Sequence, residues 1–197
     1  MKAFFERNQL ESLLQRLGEV LEAGGTSASI VIVGGAALNL LGVISRATVD
    51  IDVIATGEVA GDLPPTALTV PSELPANLRL AVERLTRDLA LPAGWINTTV
   101  TSHGRQELPP GFVERVAWKQ YRRLWVGTAG RQDLIALKLH AAADTDVRSR
   151  HTTDLLALHP TVEELEAAAE WVRRQDAGAE FPSLVAKVIA HVAARTQ

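Results

Sequence analysis

Cysteine is absent from this 197-residue chain, methionine and tyrosine occur once each, and aromatic residues make up only 5%. Without thiols there is no disulfide framework and no thiolate-bound zinc, and the cytoplasm is the expected compartment. Long apolar runs are missing too. None approaches the ~20 residues that cross a bilayer, so a membrane-spanning helix is not expected and neither is a membrane partner. The opening residues, MKAFFERNQLESLLQRL, carry acids and amides where a signal peptide needs an apolar block. A surplus of one charge is also lacking. Twenty basic and 23 acidic side chains leave a formal charge of −3, which argues against nucleic-acid binding driven by net charge. A local basic patch remains compatible with that balance.

The material that is present suits a folded domain. Hydrophobic residues make up 47% and charged ones 22%, the balance of a soluble globular protein. Leu10, Leu13, Leu14, Leu17 and Leu21 form one stripe of a helix over residues 3–22, stopped by Gly24-Gly25. Ser29–Val33 reads as a short buried strand, and Ala36–Leu41 as a short helix. Residues 49–54 alternate, Val49, Ile51 and Val53 on one face and Asp50 and Asp52 on the other, which predicts a strand.

Further on, the glycines and prolines of residues 56–75 predict a long surface loop, and Leu78, Ala81, Val82, Leu85 and Leu89 a helix over 77–90. Trp95–Val100 and Arg122–Thr128 are the next strand candidates, separated by a loop containing Gly104, Pro109, Pro110 and Gly111. Helices are expected over 131–144, 150–158, 162–175 and 183–195, the third with a Thr161/Glu164 capping box. The expected class is α+β with α/β-like features: a mixed sheet flanked by helices and a helical C-terminal region. A core with its N-terminal helix over residues 1–145 and a C-terminal helical extension over 146–197, packed on that core, are the expected divisions.

Chemistry concentrates in residues 33–54. Gly34-Gly35 stands between strand and helix, where glycines let backbone N–H groups come close to an anion. Asp50 and Asp52, two apart on a strand, would project from one face with Cα atoms about 7 Å apart. Carboxylates so placed repel unless a cation lies between them, and hard oxygen donors suit Mg²⁺. A phosphate-cradling turn opposite such a pair is equipment for phosphoryl or nucleotidyl transfer.

Gly34-Gly35, a short helix and then Arg46-x-Thr48-x-Asp50-x-Asp52 resemble the signature of the polymerase-β-like nucleotidyltransferase superfamily. Within it the chain is similar to bacterial stand-alone nucleotidyltransferase-like proteins, distant relatives of the abortive-infection nucleotidyltransferase toxins of toxin–antitoxin systems. Leu137-Lys138-Leu-His-Ala141 resembles that family's Lys-Leu-x-Ala element, Arg148 through Asp154-Leu155-Leu156 its following segment, and Trp95-Ile-Asn97 a Trp-Leu-Asn segment. The resemblance implies that Gly34 and Gly35 hold a triphosphate and that Asp50 and Asp52 bind catalytic Mg²⁺. It further implies that Arg46 and Thr48 shape the loop between them and that Lys138 approaches the phosphates.

The superfamily adds a third carboxylate from a neighbouring strand. Both strand candidates lack Asp and Glu, and Asn97-Thr98 stands where relatives carry Asn-Asp. Asp154 is the candidate substitute metal ligand.

Plainer readings stand beside these. Gly34-Gly35 alone suits any tight turn, and the two aspartates suit the solvated face of an edge strand. Lys138, inside an apolar arc, fits either a phosphate ligand or a snorkelling stem. Asp154 fits a cap or ion pair as well as a metal. Trp118, Tyr121 and Trp125 among Lys119, Arg122 and Arg123 fit core packing or base stacking. The five histidines show no ligand spacing.

The functional expectation is an NTP·Mg²⁺-dependent transferase moving a nucleoside monophosphate to a hydroxyl on tRNA, protein or a small molecule, with an antitoxin as partner if the toxin likeness holds. The alternative is a catalytically weakened protein of the same fold, acting as a nucleotide- or partner-binding regulatory module.

Overall fold

The computed structural model describes residues 4–101 and 107–196, and contacts divide the chain into two compact units, Met1–Ala129 and Gly130–Gln197. His103 and Gly104 lie outside the described residues.

The first unit contains α1 (Arg7–Ala23), β1 (Ala28–Val33), α2 (Gly34–Leu40), β2 (Ile51–Ala55), α3 (Ala76–Asp88), β3 (Ile96–Asn97), β4 (Ala117–Tyr121) and β5 (Leu124–Thr128). Its strands form one open mixed sheet in the order β3-β2-β1-β5-β4. The β2/β3 and β1/β5 pairs are parallel, and the β1/β2 and β4/β5 pairs antiparallel. All six residues of β1 are buried, which explains its unbroken apolar run Ile30–Val33.

On α1 the expected leucine stripe is buried, together with Gly18. That glycine permits close packing: a Cβ there would lie 1.9 Å from the Tyr121 carbonyl oxygen at the end of β4. A polar staple reinforces the contact. Tyr121 Oη and Lys119 Nζ both donate to Glu11 Oε2, at 2.5 and 2.7 Å. Burial and the bond to Glu11 push the Tyr121 hydroxyl up to about 12, so it stays a donor at ordinary pH.

The strands differ from expectation in three places. β2 begins at Ile51, so Val49 and Asp50 precede it. The cause is that β1 turns away at Gly34 (φ +70°), leaving Val33↔Asp52 as the last antiparallel pair. β3 has two residues where Trp95–Val100 was expected. There Thr99 N–H donates to Asn97 Oδ1 at 2.8 Å and Thr101 Oγ1 to the Thr98 carbonyl at 2.7 Å, folding the chain into a 3₁₀ turn. The hairpin β4–β5 replaces a strand from Arg122, because Arg122 (φ 56°) occupies the turn.

The loop after β2 is closed by a Thr56↔Thr69 bridge, and the buried Ser29 hydroxyl accepts from Gly57 N–H at 2.9 Å and donates to its carbonyl at 2.7 Å.

The second unit is helical: α4 (Arg131–Ala143), α5 (Arg150–Ala157), α6 (Val162–Val172) and α7 (Phe181–Thr196). Ten of the 13 residues of α4 are buried, and it packs against the other three helices of this unit. Thr161 caps α6 as its capping box predicts, accepting from Glu164 N–H at 3.2 Å while Glu164 Oε2 accepts from Thr161 N–H at 2.9 Å. Taken together the class is α+β: a five-stranded open mixed sheet flanked by helices, with a helical C-terminal region. Among the described residues no helix is long and apolar enough to cross a membrane.

Candidate functional site

Of the expected residues of the first unit, Arg46, Thr48 and Asp52 meet Gly34 and Gly35 at the turn between β1 and α2. Gly34 has φ +70°, the left-handed region that glycine enters without penalty. A Cβ there would lie 2.6 Å from Asp52 Oδ2, so the carboxylate rests directly against bare backbone. At Gly35 a Cβ would lie 2.9 Å from Thr48 Oγ1 and 3.7 Å from Arg46 Nη2. Carboxylate, hydroxyl and guanidinium therefore crowd one glycine pair. The antiparallel register puts Asp52 there, opposite the last residue of β1.

The segment between α2 and β2 is held at several points. Phe5 and Thr48 exchange backbone hydrogen bonds of 2.6 and 3.0 Å. Thr48 Oγ1 donates to the Asp50 carbonyl at 3.2 Å. Asn39, on α2 and 2% exposed, donates from Nδ2 to the Arg46 carbonyl at 2.8 Å. The sequence reading missed Asn39. Its one signal is an amide among Ala36, Ala37, Leu38 and Leu40 on a short apolar helix.

Asp50 lies just ahead of β2 and is half-buried, like Asp52. The alternation of a regular strand therefore does not by itself set its side chain beside that of Asp52. In the parallel register Asp52 pairs with Asn97, so its partner on the neighbouring strand is an amide and not a carboxylate. Among the described residues no group of three or more His, Asp or Glu side chains is placed to hold a metal ion. The Asp52 carboxylate beside bare backbone still fits Mg²⁺ bound in one manner. That ion keeps several waters and is commonly held by one or two carboxylates together with substrate phosphates, rather than in an all-protein cage.

In the second unit, Lys138 of α4 and Asp154 of α5 form an ion pair of 2.6 Å, with side chains 8% and 1% exposed. Burial of both charges together requires such pairing. The helix-surface pair Arg131–Glu164, at 2.7 Å, is far more exposed.

The aromatic residues of the hairpin are engaged in packing, whereas Lys119, Arg122 and Arg123 are exposed. Trp118 lies over Gly127, where a Cβ would meet its ring carbon Cζ3 at 3.0 Å. Lys119 Nζ lies 4.8 Å from the centre of the Tyr121 ring. Trp125 is half-buried, and its indole Nε1 is enclosed with no hydrogen-bond partner.

In this mixed sheet a glycine turn ends one strand, and an aspartate of the next strand lies against it. The family model described as nucleotidyltransferase of unknown function (DUF6036) matches residues 8–170, and the chain belongs to that family. No curated protein matches the chain. No solved structure matches it either.

Proposed function

We propose that the chain binds a nucleoside triphosphate with a divalent cation at the Gly34-Gly35 turn and transfers a nucleoside monophosphate to a hydroxyl acceptor. The observation that carries this reading is the crowding of Asp52 Oδ2, Thr48 Oγ1 and Arg46 Nη2 onto the two glycines. Bare backbone lets phosphate oxygens come within hydrogen-bond reach of main-chain N–H groups. The Arg46 guanidinium suits paired phosphate oxygens, and the Thr48 hydroxyl, donating to the Asp50 carbonyl, holds the loop beside the glycines. Asp50 and Asp52 would hold Mg²⁺. When bound, that ion neutralises charge on the reacting and leaving phosphate oxygens.

In the transfer, a bond forms between the acceptor oxygen and the α-phosphorus while the bond from that phosphorus to the β-bridging oxygen breaks. Pyrophosphate leaves and the hydroxyl proton passes to solvent. In this reading Asp154 serves as the counter-ion of Lys138, and the phosphate contacts come from the first unit. A tRNA end, a protein hydroxyl and a small molecule are the acceptor classes to test. A toxin with an antitoxin partner is one setting for this chemistry.

The experiment is transfer from NTPs labelled at the α-phosphate to total tRNA, to cell protein and to aminoglycosides. A labelled product that disappears in Asp52→Asn supports the reading. A second reading draws on Asp52 having the Asn97 amide, and no carboxylate, as its partner on the neighbouring strand. It is a regulatory module that binds NTP·Mg²⁺ without turnover, and binding with no labelled product from any acceptor would favour it.

A further inference from the structure

Asn39 is chemically out of place. It is 2% exposed on a seven-residue helix whose other buried residues are Ala36, Ala37 and Leu38. Its Nδ2 donates to the Arg46 carbonyl at 2.8 Å, while its Oδ1 is enclosed and accepts nothing. A buried amide using only part of its bonding capacity is a poor choice for stability alone. The helix has a second connection to the same loop, because it begins at the glycines that Thr48 Oγ1 and Arg46 Nη2 approach. Arg46 is thus held through its backbone by Asn39 while its guanidinium reaches toward Gly35.

We infer that Asn39 is a positioning residue that fixes the Arg46 backbone so that the guanidinium faces the phosphate-binding turn. The inference rests on the function proposed above and adds the residue that sets the geometry of its arginine. Asn39 touches no substrate and acts through Arg46. The amide is suited to this because only its NH₂ side can meet a carbonyl, which fixes the orientation of both groups.

The test is a double-mutant cycle on nucleotide affinity, measured by calorimetric titration of the four NTPs with MgCl₂. Wild type, Asn39→Ala, Arg46→Ala and the double variant are compared, with thermal unfolding recorded for each. Asn39→Ser, which keeps a small hydroxyl donor, stands in if the alanine variant does not fold. The expected loss for Asn39→Ala is about tenfold, the scale of one well-placed hydrogen bond. The double variant should bind no more weakly than Arg46→Ala alone, since the effect of Asn39 passes through that side chain.

A purely structural amide would lower the melting temperature without such coupling. Additive losses, or unchanged affinity in the folded Asn39 variant while Arg46→Ala binds weakly, would overturn the positioning role and leave the proposed function standing. No NTP binding by folded wild type would instead remove the proposed function, and this inference with it.

Discussion

The Asp52 carboxylate lies against the α-carbon of Gly34, so near that a β-carbon there would sit 2.6 Å from Oδ2. Gly34 meets two demands at once: a left-handed backbone, φ +70°, and room for a charged group. Gly34→Ala should cost roughly 1–2 kcal/mol for the backbone alone and displace Asp52 as well. Thermal unfolding should show a modest drop, whereas NTP titration should show loss of binding. Unaltered binding would detach Gly34 from the site.

Packing of α1 gives a sharper expectation for stability. A methyl at Gly18 would lie 1.9 Å from the Tyr121 carbonyl oxygen, and that neighbour is backbone. Gly18→Ala should therefore destabilise by at least about 1–3 kcal/mol, the usual cost of overpacking. Ala90 is the opposite case. It follows the C-cap of α3 with φ 51°, and Leu91 N–H donates to the Thr86 carbonyl at 2.9 Å, a helix ending that favours glycine. Ala90→Gly should stabilise by about 1 kcal/mol. Urea denaturation of both variants checks the pair of signs.

The buried and exposed ion pairs of the helical unit should separate under mutation. Lys138→Met removes the cation 2.6 Å from a 1% exposed carboxylate and should cost about 3–5 kcal/mol. Arg131→Met breaks a pair whose side chains are 48% and 27% exposed and should cost less than about 1 kcal/mol. Replacing both members of the buried pair by apolar residues should recover much of the first loss. Chemical denaturation of the single and double variants measures the difference.

Acid should weaken the fold through two carboxylates. Hydrogen bonds from Arg131 hold Glu164 below the ordinary carboxylate range, against a smaller opposing effect of burial. At Glu11, burial pushes upward, but hydrogen bonds from Lys119 and Tyr121 and the nearby cations outweigh it, and the net shift is downward. A depressed folded pKa contributes stability that is complete above the unfolded value of about 4.3 and is lost as pH falls through the folded value. The melting temperature should therefore fall below about pH 4, and Glu11→Gln with Glu164→Gln should make that part of the fall shallower.

What could be read from sequence was what lies close together along the chain. Gly34-Gly35 and Asp52 are legible because a turn and an alternating strand fix them locally, and one antiparallel register then joins them. The leucine stripe of α1 and the Thr161–Glu164 capping box are legible for the same reason. β4 is not, because an edge strand with Ala117, Lys119 and Gln120 exposed carries no apolar alternation. The brevity of β3 depends on which backbone groups the Asn97 and Thr101 side chains choose, and composition does not specify that choice. Lys138 is visible as a cation in an apolar arc, but its partner lies 16 residues away on another helix. Asn39 is hidden for a related reason. Its importance lies in one bond to a main-chain carbonyl, which leaves no pattern in the sequence.

The most direct test of the central claim is calorimetric titration of the four NTPs, with and without Mg²⁺, into wild type and into Asp52→Asn. The account predicts metal-dependent binding of at least one nucleotide by wild type and its loss in the variant, with both proteins folded. Failure of folded wild type to bind any NTP, or undiminished Mg²⁺-dependent binding by Asp52→Asn, would contradict it.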